Sequence, residues 1–539
     1  MASTIKATAT ITAGSLYRAV WRWHFYAGLL VLPFLAWLAV TGGAFLFQGE
    51  IDGWVHRDLL RVAQPVPPGA ARPPSALVAA ALAVQPGQWF RYTPAAGPGD
   101  SANVGIATAD GRRVAVYVDP GSARVLGQLP ERGTLSWQIR RLHSLKVIGP
   151  VARGVIEMAA GWAVVLVATG LYLWWPRGRR GGVVTVRGRP AERVFWRDLH
   201  AVLGLGVGAI LVFLALTGMP WSVFWGAQVN AWANGSHWGY PAGVRVQVPM
   251  SAVPVADTLA VPWSLQQARV PVASAVPAAR AAGGRVPVPM SAVPVADTLA
   301  GPWSLPQARV PVAAAVPAAM AAGGSGGHGR HPGHEGHGGQ DGAGEHAGHG
   351  GGGAAPAAGP QPLPAVPPIG LDAAIAVFTR LGLAPGFGVA APQGAGGVYT
   401  ASAYPADLGR QRVVHLDQYS GRPLLDMGYA DYGPVAKGLE WGINVHLGQQ
   451  YGVANQIVLA VACAGIVLLC VAGAVAWWKR RPSGGLGVPP LPAQPRALWV
   501  VAGMMAVAGV LLPLLGLSLL CMLAVDAAWR RRQAGALQR

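Results

Sequence analysis

Five long stretches of the sequence contain no charged residue. They cover residues 25–47, 158–175, 201–227, 451–478 and 497–525. An α-helix needs about 17–25 largely apolar residues to cross the hydrocarbon of a bilayer, so each stretch is long enough to span a membrane. The pattern therefore predicts at least five membrane helices. A break near Gly509, Pro513 and Gly516 would divide the last stretch, which leaves the count at five or six.

Basic residues lie beside these stretches. The connections 176–198 and 479–496 are rich in arginine, and the segment before the first stretch is also basic. Lysine and arginine are enriched in cytoplasmic loops of membrane proteins. This bias predicts a cytoplasmic N-terminus and external segments at 48–142 and 228–445, which are periplasmic in a Gram-negative cell. Membrane topology thus accounts for the net charge of +19, and no nucleic-acid partner is expected.

The composition excludes an ordinary soluble enzyme. Only 12% of residues are charged, 52% are hydrophobic, and the mean hydropathy is +0.37, whereas soluble proteins contain roughly 25% charged residues. The three cysteines, Cys463, Cys470 and Cys521, lie in apolar stretches. The sequence therefore offers neither a disulfide framework nor a C-x-x-C-H site for covalent haem attachment.

Each external segment carries the signals of a small α+β module. A helical pattern at 75–84 precedes alternating valines at 114–118, and a helical pattern at 371–383 precedes a strand-like run at 412–417. The predicted fold is a polytopic α-helical membrane protein. It has a duplicated four-helix core, one or two further C-terminal helices and two small external α+β modules.

The same signals set the boundaries of the predicted regions. In chain order these are a cytoplasmic N-terminus at 1–24, membrane helix 25–47, external module 48–142, membrane helix with an amphipathic lead-in 143–175, basic loop 176–198, membrane helix 199–227, external module 228–445, membrane helix 446–478, loop 479–496, an apolar block 497–529 and a basic tail 530–539.

The second external segment contains an insertion. Residues 245–284 recur as 285–324, which is a tandem repeat of 40 residues. A glycine- and histidine-rich tract follows at 325–360, and we interpret it as a disordered tether. The alternative is a weak copper or zinc site, because imidazoles bind both metals. Its candidate ligands are His328, His331, His334, His337, His346 and His349.

Four histidines recur at matched positions of an internal repeat. His24 and His200 are each followed by a glycine after 4 residues and by Thr-Gly after 17. His143 and His446 are each followed by glycines after 6 and 27 residues and by Trp-Trp after 31. The chain therefore divides into two halves of the same orientation, related by an axis along the membrane normal. We expect His24 to meet His200 near the cytoplasmic surface and His143 to meet His446 near the external surface.

Paired imidazoles at one depth between helices suit the axial ligation of a b-type haem, so the two pairs predict two haems. Arg22 and Arg197 near the cytoplasmic pair, and Arg140 and Arg141 near the external pair, are candidate partners of the haem propionates. The alternative for each histidine is a polar anchor or helix cap at the membrane boundary.

The remaining polar candidates have no counterpart in the repeat. Glu157 is a candidate proton relay, a candidate cap of a ligand or a partner of Arg153 on the same helix, and we favour the pairing. His56, His237 and His415 lie in external segments without a partner of matched spacing, and we expect them at the surface.

At these motifs the sequence resembles the PepSY-associated transmembrane helix family of bacterial iron-regulated membrane proteins. The resemblance covers roughly residues 15–245 and 365–525. It rests on Trp21-Arg22-Trp23-His24, Leu142-His143-Ser144-Leu145, Thr169-Gly170, Asp198-Leu199-His200, Thr217-Gly218, Val445-His446 and Trp477-Trp478.

This resemblance implies PepSY-like periplasmic modules and kinship with inner-membrane ferric-siderophore reductases that carry two haems. Together with the histidine pairs it leads to the hypothesis that a cytoplasmic or membrane donor passes electrons through the two haems to a periplasmic Fe(III) chelate. Two other classes remain open. One is a non-enzymatic, membrane-anchored PepSY module that binds a periplasmic partner, and the other is a metal-handling accessory protein.

Overall fold

The computed structural model describes residues 12–176, 183–253, 366–483 and 485–524. Most of the tandem repeat, the histidine-rich tract with its six candidate ligands, and the basic tail therefore lie outside the described residues.

The described chain consists of helices and one set of strands. The helices are α1 (Ala13–Phe45), α2 (Gln48–Val55), α3 (Arg57–Leu60), α4 (Pro74–Val84), α5 (Leu135–His143), α6 (Pro150–Trp174), α7 (Arg193–Gly218), α8 (Phe224–Ala233), α9 (Gly370–Arg380), α10 (Pro434–His446), α11 (Gly452–Trp478), α12 (Arg496–Leu511) and α13 (Pro513–Ala524). The strands are β1 (Gln88–Thr93), β2 (Ala102–Ala107), β3 (Arg113–Val118), β4 (Val125–Pro130), β5 (Gly388–Ala390), β6 (Val398–Ala403), β7 (Arg412–Asp417) and β8 (Pro423–Gly428).

Within the described ranges, four helices are long and apolar enough to cross a membrane, namely α1, α6, α7 and α11. They form a ring in which α1 contacts α6, α6 contacts α7, α7 contacts α11 and α11 contacts α1. Small and aliphatic side chains fill its core, including Ala27, Val31, Ala159 and Ile466. Small residues let helices approach closely where hydrophobic exclusion from water cannot drive association. In this ring α1 lies diagonally opposite α7, and α6 lies opposite α11.

The C-terminal apolar block forms two short helices, α12 and α13. Pro513 begins the second helix, and the two helices touch where a Cβ added at Gly509 would lie 2.9 Å from the Cα of Gly516. The indole Nε1 of Trp162, in the middle of α6, donates to Ser518 Oγ at 3.0 Å. The predicted break thus occurs near these glycines, and the block folds as a hairpin against α6 in which each helix is shorter than 18 residues.

The strands form one continuous antiparallel sheet of eight strands in the order β4-β3-β2-β1-β5-β6-β7-β8. The expectation of two separate modules is therefore wrong in one respect. Each half supplies a four-stranded meander, and the halves join where β1 pairs with β5, with Tyr92 opposite Val389. An unpaired edge strand exposes backbone donors and acceptors. Pairing the first strands of the two halves satisfies these groups.

The helices and strands that the external pattern predicts are present as α4, β3, α9 and β7. The two helices cover the same face of the sheet, and their core combines Val104 of one half with Phe378 and Val414 of the other. The backbone N–H and hydroxyl of Ser75 donate to the Asp372 carboxylate at 2.7 and 2.5 Å. The two halves therefore share one hydrophobic core.

The prediction that His415 lies at the surface is wrong, because its side chain is only 1% exposed. Its Nε2–H donates to the carbonyl of Gly243, and its Nδ1 accepts from the Thr400 hydroxyl, both at 2.8 Å. Burial lowers the pKa of His415 to about 4, so the imidazole is neutral. The loop that buries it comes from the preceding part of the segment, which strand periodicity cannot reveal.

The helix that ends at His446 is anchored to the sheet by a buried ion pair. Arg245 Nη2 and Glu440 Oε1 lie 2.8 Å apart, and both side chains are at most 2% exposed. The hydroxyl of Tyr240 also donates to Glu440 at 2.6 Å, and the guanidinium of Arg245 stacks over the Tyr240 ring. These contacts fix α10 against the loop that covers the sheet.

Candidate functional site: two histidine pairs between four helices

His24 and His200 meet between the diagonal helices α1 and α7, at the end of the bundle that carries the basic loops. We call them the loop-side pair. Their ring centroids are 6.4 Å apart, and the ring planes are almost perpendicular at 83°. The pairing expected from the repeat is therefore present in the structure.

Both imidazoles of the loop-side pair use Nδ1 for a hydrogen bond to a neighbouring helix. The Nδ1 of His24 lies 2.9 Å from Thr169 Oγ1, and that hydroxyl donates to the carbonyl of Val165 at 2.7 Å. Because a hydroxyl has one proton to donate, Nδ1–H must be the donor in the bond to His24. The Nδ1–H of His200 donates directly to the carbonyl of Leu469 at 3.0 Å. In both rings Nε2 therefore keeps a free lone pair.

His143 and His446 lie at the other end of the bundle, beneath the sheet, and we call them the sheet-side pair. Both line one cavity of about 460 Å³, which also contacts Gly42, Gly218 and Trp221. The Trp221 ring packs edge-on against His446 with centroids 5.5 Å apart. Ligand pockets of proteins commonly measure roughly 300–1,000 Å³. The cavity is thus of the size that a cofactor requires.

The sheet-side imidazoles are held in the same way. Nδ1 of His143 lies 2.9 Å from Thr41 Oγ1, and Nδ1 of His446 lies 2.8 Å from Thr217 Oγ1. Each threonine hydroxyl donates to the carbonyl four residues earlier in its own helix at 2.7 Å. Hence Nδ1–H is again the donor. The backbone carbonyl of Leu38 also accepts a hydrogen bond from His143.

A glycine lies under each of the four imidazoles. An added Cβ would lie 3.1 Å from His143 Cε1 at Gly42, 3.7 Å from His446 Cε1 at Gly218, 3.3 Å from His24 Cε1 at Gly170 and 3.1 Å from His200 Nδ1 at Gly473. From the sequence, Gly42 and Gly218 are expected to make room for a haem and for close helix approach, whereas Gly170 and Gly473 are marked only by their matched spacing. By contrast, the nearest neighbours of Gly28 and Gly204, which the repeat also marks, are leucine side chains rather than histidines.

The sheet-side cavity has a basic mouth. Its cationic lining residues are Arg132, Arg140, Arg141, Lys146 and Arg153. The guanidinium groups of Arg132 and Arg140 both pack over the Trp137 ring, at 5.2 and 4.3 Å from its centroid. Burial and the neighbouring charge of Arg132 hold the pKa of Arg140 well below its ordinary value. The lining also contains the carboxylates of Glu131 and Glu157, so five cationic side chains face two acidic ones, an excess of positive charge that suits an anion.

The cationic candidates at the loop side are engaged by other groups. Arg22 donates to the Pro489 carbonyl and to Tyr26 OH. Arg197 binds the buried Asp198 carboxylate at 2.6 Å, and Arg187 binds the same carboxylate. The structure thus brings Arg140 and Arg141 to the sheet-side cavity, whereas Arg22 and Arg197 contact protein groups near the loop-side pair.

Glu157 differs from its prediction. Its buried carboxylate accepts hydrogen bonds from the backbone N–H groups of Phe224 and Trp225, at 2.8 and 3.2 Å, at the start of α8. Among the described residues, no ion pair joins it to Arg153, whose Nη2 donates to the Trp221 carbonyl. A carboxylate at a helix N-terminus is favoured by the unpaired N–H groups and the helix dipole. The expected pairing is therefore replaced by a helix cap.

The chemistry of both pairs is compatible with a b-type haem. Two imidazoles that bound one metal at about 2 Å would have ring centres about 6 Å apart, and the loop-side centroids are 6.4 Å apart. For the sheet-side pair the matching observation is the shared cavity. All four rings have Nδ1–H donated elsewhere, which leaves Nε2 unprotonated.

The fold and the site define a polytopic membrane protein in which four spanning helices support an eight-stranded sheet and bring histidines together in pairs at both ends. The chain belongs to the family described as PepSY-associated TM region, which it matches over residues 21–480. This range includes all four paired histidines and confirms the resemblance seen in the sequence. No curated protein matches the chain.

Proposed function

We propose that this protein is a bacterial inner-membrane electron-transfer protein that binds two b-type haems and reduces Fe(III) chelates in the periplasm. The loop-side pair would hold one haem and the sheet-side pair the other. The observation that carries the proposal is the placement of four Nδ1-bonded imidazoles in two pairs at opposite ends of one helix ring.

The symmetry of the molecule supports descent from a duplicated unit. Each half contributes one four-stranded meander and one helix to each diagonal of the ring. The arginine-rich connections lie at the loop side, which by the positive-inside rule is cytoplasmic. The sheet, built from two PepSY-like halves, is then periplasmic.

A bis-imidazole haem supplies one-electron chemistry without a side-chain nucleophile. The protein's own contribution is to hold the imidazoles, exclude water and set the two sites apart along the membrane normal. We call the glycine that lies against a paired histidine its platform glycine, and Gly42 is the platform glycine of His143. His24 and Gly42 are 18 positions apart on α1, or about 27 Å at 1.5 Å per residue. The sites therefore lie near the two surfaces of a hydrocarbon layer of about 30 Å.

The basic mouth of the sheet-side cavity supports the choice of substrate. Arg132, Arg141 and Lys146 make this entrance electropositive, which attracts anionic ligands. Siderophores bind Fe(III) through hard oxygen donors, and Fe(II) is a softer guest that such donors hold less well. One-electron reduction therefore releases the metal and leaves the chelator intact. The electron would come from a donor in the cytoplasm or in the membrane.

The test is a reduced-minus-oxidised absorption spectrum of the detergent-purified protein, with pyridine haemochrome quantitation. We expect two haems b per chain. Replacing His143 or His446 with alanine should remove one haem and spare the other, and replacing His24 or His200 should do the converse. A colourless protein that folds normally and takes up no added haem would overturn the proposal and favour a membrane-anchored binding module.

A further inference from the structure

Three of the four paired histidines share the same partner, a threonine that precedes the platform glycine. These are Thr41 with His143, Thr169 with His24 and Thr217 with His446, at 2.8–2.9 Å. Each threonine hydroxyl in turn donates a hydrogen bond to a carbonyl in the preceding turn of its own helix. Each threonine hydroxyl thus accepts a hydrogen bond from an imidazole N–H and donates one to a helix carbonyl.

The fourth histidine, His200, faces an alanine at the position of these threonines. The residue before Gly473 is Ala472, and the Nδ1–H of His200 donates straight to the carbonyl of Leu469, three residues before that alanine. In the threonine sites the equivalent carbonyl also lies within reach of the hydroxyl, as with Thr169 Oγ1 and Leu166 O at 3.2 Å. The chain therefore contains both a threonine version and an alanine version of the same contact.

We propose that Thr41, Thr169 and Thr217 are positioning residues that fix the tautomer and basicity of the axial imidazoles, and that Ala472 makes His200 the electronically distinct ligand. This inference rests on the proposed function, since it assigns these residues a role toward the haems.

The physical reason is that the group accepting Nδ1–H controls how strongly Nε2 donates to a metal. A threonine hydroxyl polarised by its own bond to a carbonyl is a strengthened acceptor. Removing the acceptor weakens the ligand, which favours the reduced iron and raises the midpoint potential. Outer partners of metal-bound histidines typically matter by about 10–100-fold in metal affinity.

The experiment compares Thr217→Val with Thr217→Ala in the full-length, haem-loaded protein. Valine keeps the volume of threonine, lacks the hydroxyl and covers the carbonyl of Leu214. Alanine reproduces the arrangement that already serves His200. We expect T217V to raise the potential of one haem only and to weaken its retention about 10–100-fold. The T217A variant should recover most of both properties, because the imidazole can reach the carbonyl.

Thr400→Val is the matched control. Thr400 Oγ1 lies 2.8 Å from Nδ1 of His415 within the sheet, so it also hydrogen-bonds an imidazole, here as the donor and remote from the helix ring. This variant should leave both haem potentials unchanged. The unaffected haem of T217V reports that the protein remains folded.

The readouts are a spectroscopic redox titration and the rate at which each haem is lost to an excess of a haem-scavenging apoprotein. A two-haem wild type whose potentials and haem retention are the same in T217V would overturn the inference and leave the proposed function intact. A wild type without haem would overturn the proposed function itself.

Discussion

At the scale of single residues, the site depends on glycines as much as on histidines. The Cε1 and Nδ1 atoms of His143 lie against Gly42 because that residue has no side chain, and the same relation holds for Gly473 and His200. Small residues are common in membrane helices for packing alone. Here four glycines each lie against the ring of a different paired histidine.

We therefore expect Gly42→Ala to weaken the sheet-side haem. The new Cβ would lie 3.1 Å from His143 Cε1, so the ring must move by a few tenths of an ångström. Haem content measured by pyridine haemochrome, after competition with a scavenger, should fall by about 10-fold at this site. Gly28→Ala is the control, because its nearest neighbour is the flexible Leu166 side chain at 4.0 Å. Equal losses in the two variants would contradict the platform role.

His415 makes the sheet sensitive to acid. Its pKa is about 4 in the folded protein because of burial, against about 6.5 when unfolded, so between these values the unfolded chain binds one more proton. Stability is therefore lost as pH falls from 6.5 towards 4, by up to about 3 kcal/mol. Thermal unfolding across this range should be less pH-dependent in His415→Gln than in the wild type. Parallel pH profiles would show that His415 does not contribute.

At the scale of elements, α10 matters because it carries His446 and is fastened to the sheet. Its Glu440 is buried with Arg245, Tyr240 and Gln411 around the carboxylate. A buried ion pair gains little over an apolar pair, but removing one partner leaves an uncompensated charge. The contact is therefore a strong determinant of where the helix ends.

We expect Glu440→Ala to lower the stability of the full chain by about 3–5 kcal/mol. The change should appear as a lower thermal unfolding midpoint in detergent, and the double variant R245M/E440L should recover most of the loss. Asp110→Asn is the control, since Asp110 and Arg112 pair at the exposed surface, where solvent screens the charges and such pairs contribute little to stability. A double variant no more stable than E440A would argue against the ion pair as the cause.

At the scale of the whole molecule, the two halves form one unit above and within the membrane. The sheet is continuous through β1 and β5, and each histidine pair takes one ring from each half. All four paired histidines belong to the helices α1, α5, α7 and α10. We therefore expect the histidine-rich tract to be separable from the paired sites in function.

Deleting residues 325–353 tests this separation. We expect the deletion to leave haem stoichiometry and both midpoint potentials unchanged, because the paired histidines and their hydrogen-bond partners are retained. Absorption spectra and redox titration of the full-length and deleted proteins provide the comparison. Loss of either haem on deletion would assign the tract to the cofactor sites and favour a metal-handling role.

The sequence by itself determined the spanning helices α1, α6, α7 and α11, the local helices and strands of the external part, and the pairing of His24 with His200. It also predicted at least one further span in the C-terminal block, where the structure has two helices shorter than 18 residues. These features follow from short-range periodicity and from matched spacing in a repeat, since equivalent positions in two parallel halves share a depth. The repeat also fixed which glycines recur, such as Gly42 and Gly218.

The tertiary structure alone decided how the halves meet. The joining of β1 to β5, the burial of His415 and the capping of α8 by Glu157 each depend on contacts between segments far apart in the chain. The local sequence pattern shows that a strand has an unpaired edge and that a buried carboxylate needs a hydrogen-bond donor. It does not show which distant group pairs with that edge or donates to that carboxylate. That choice is made when buried polar groups find partners during packing.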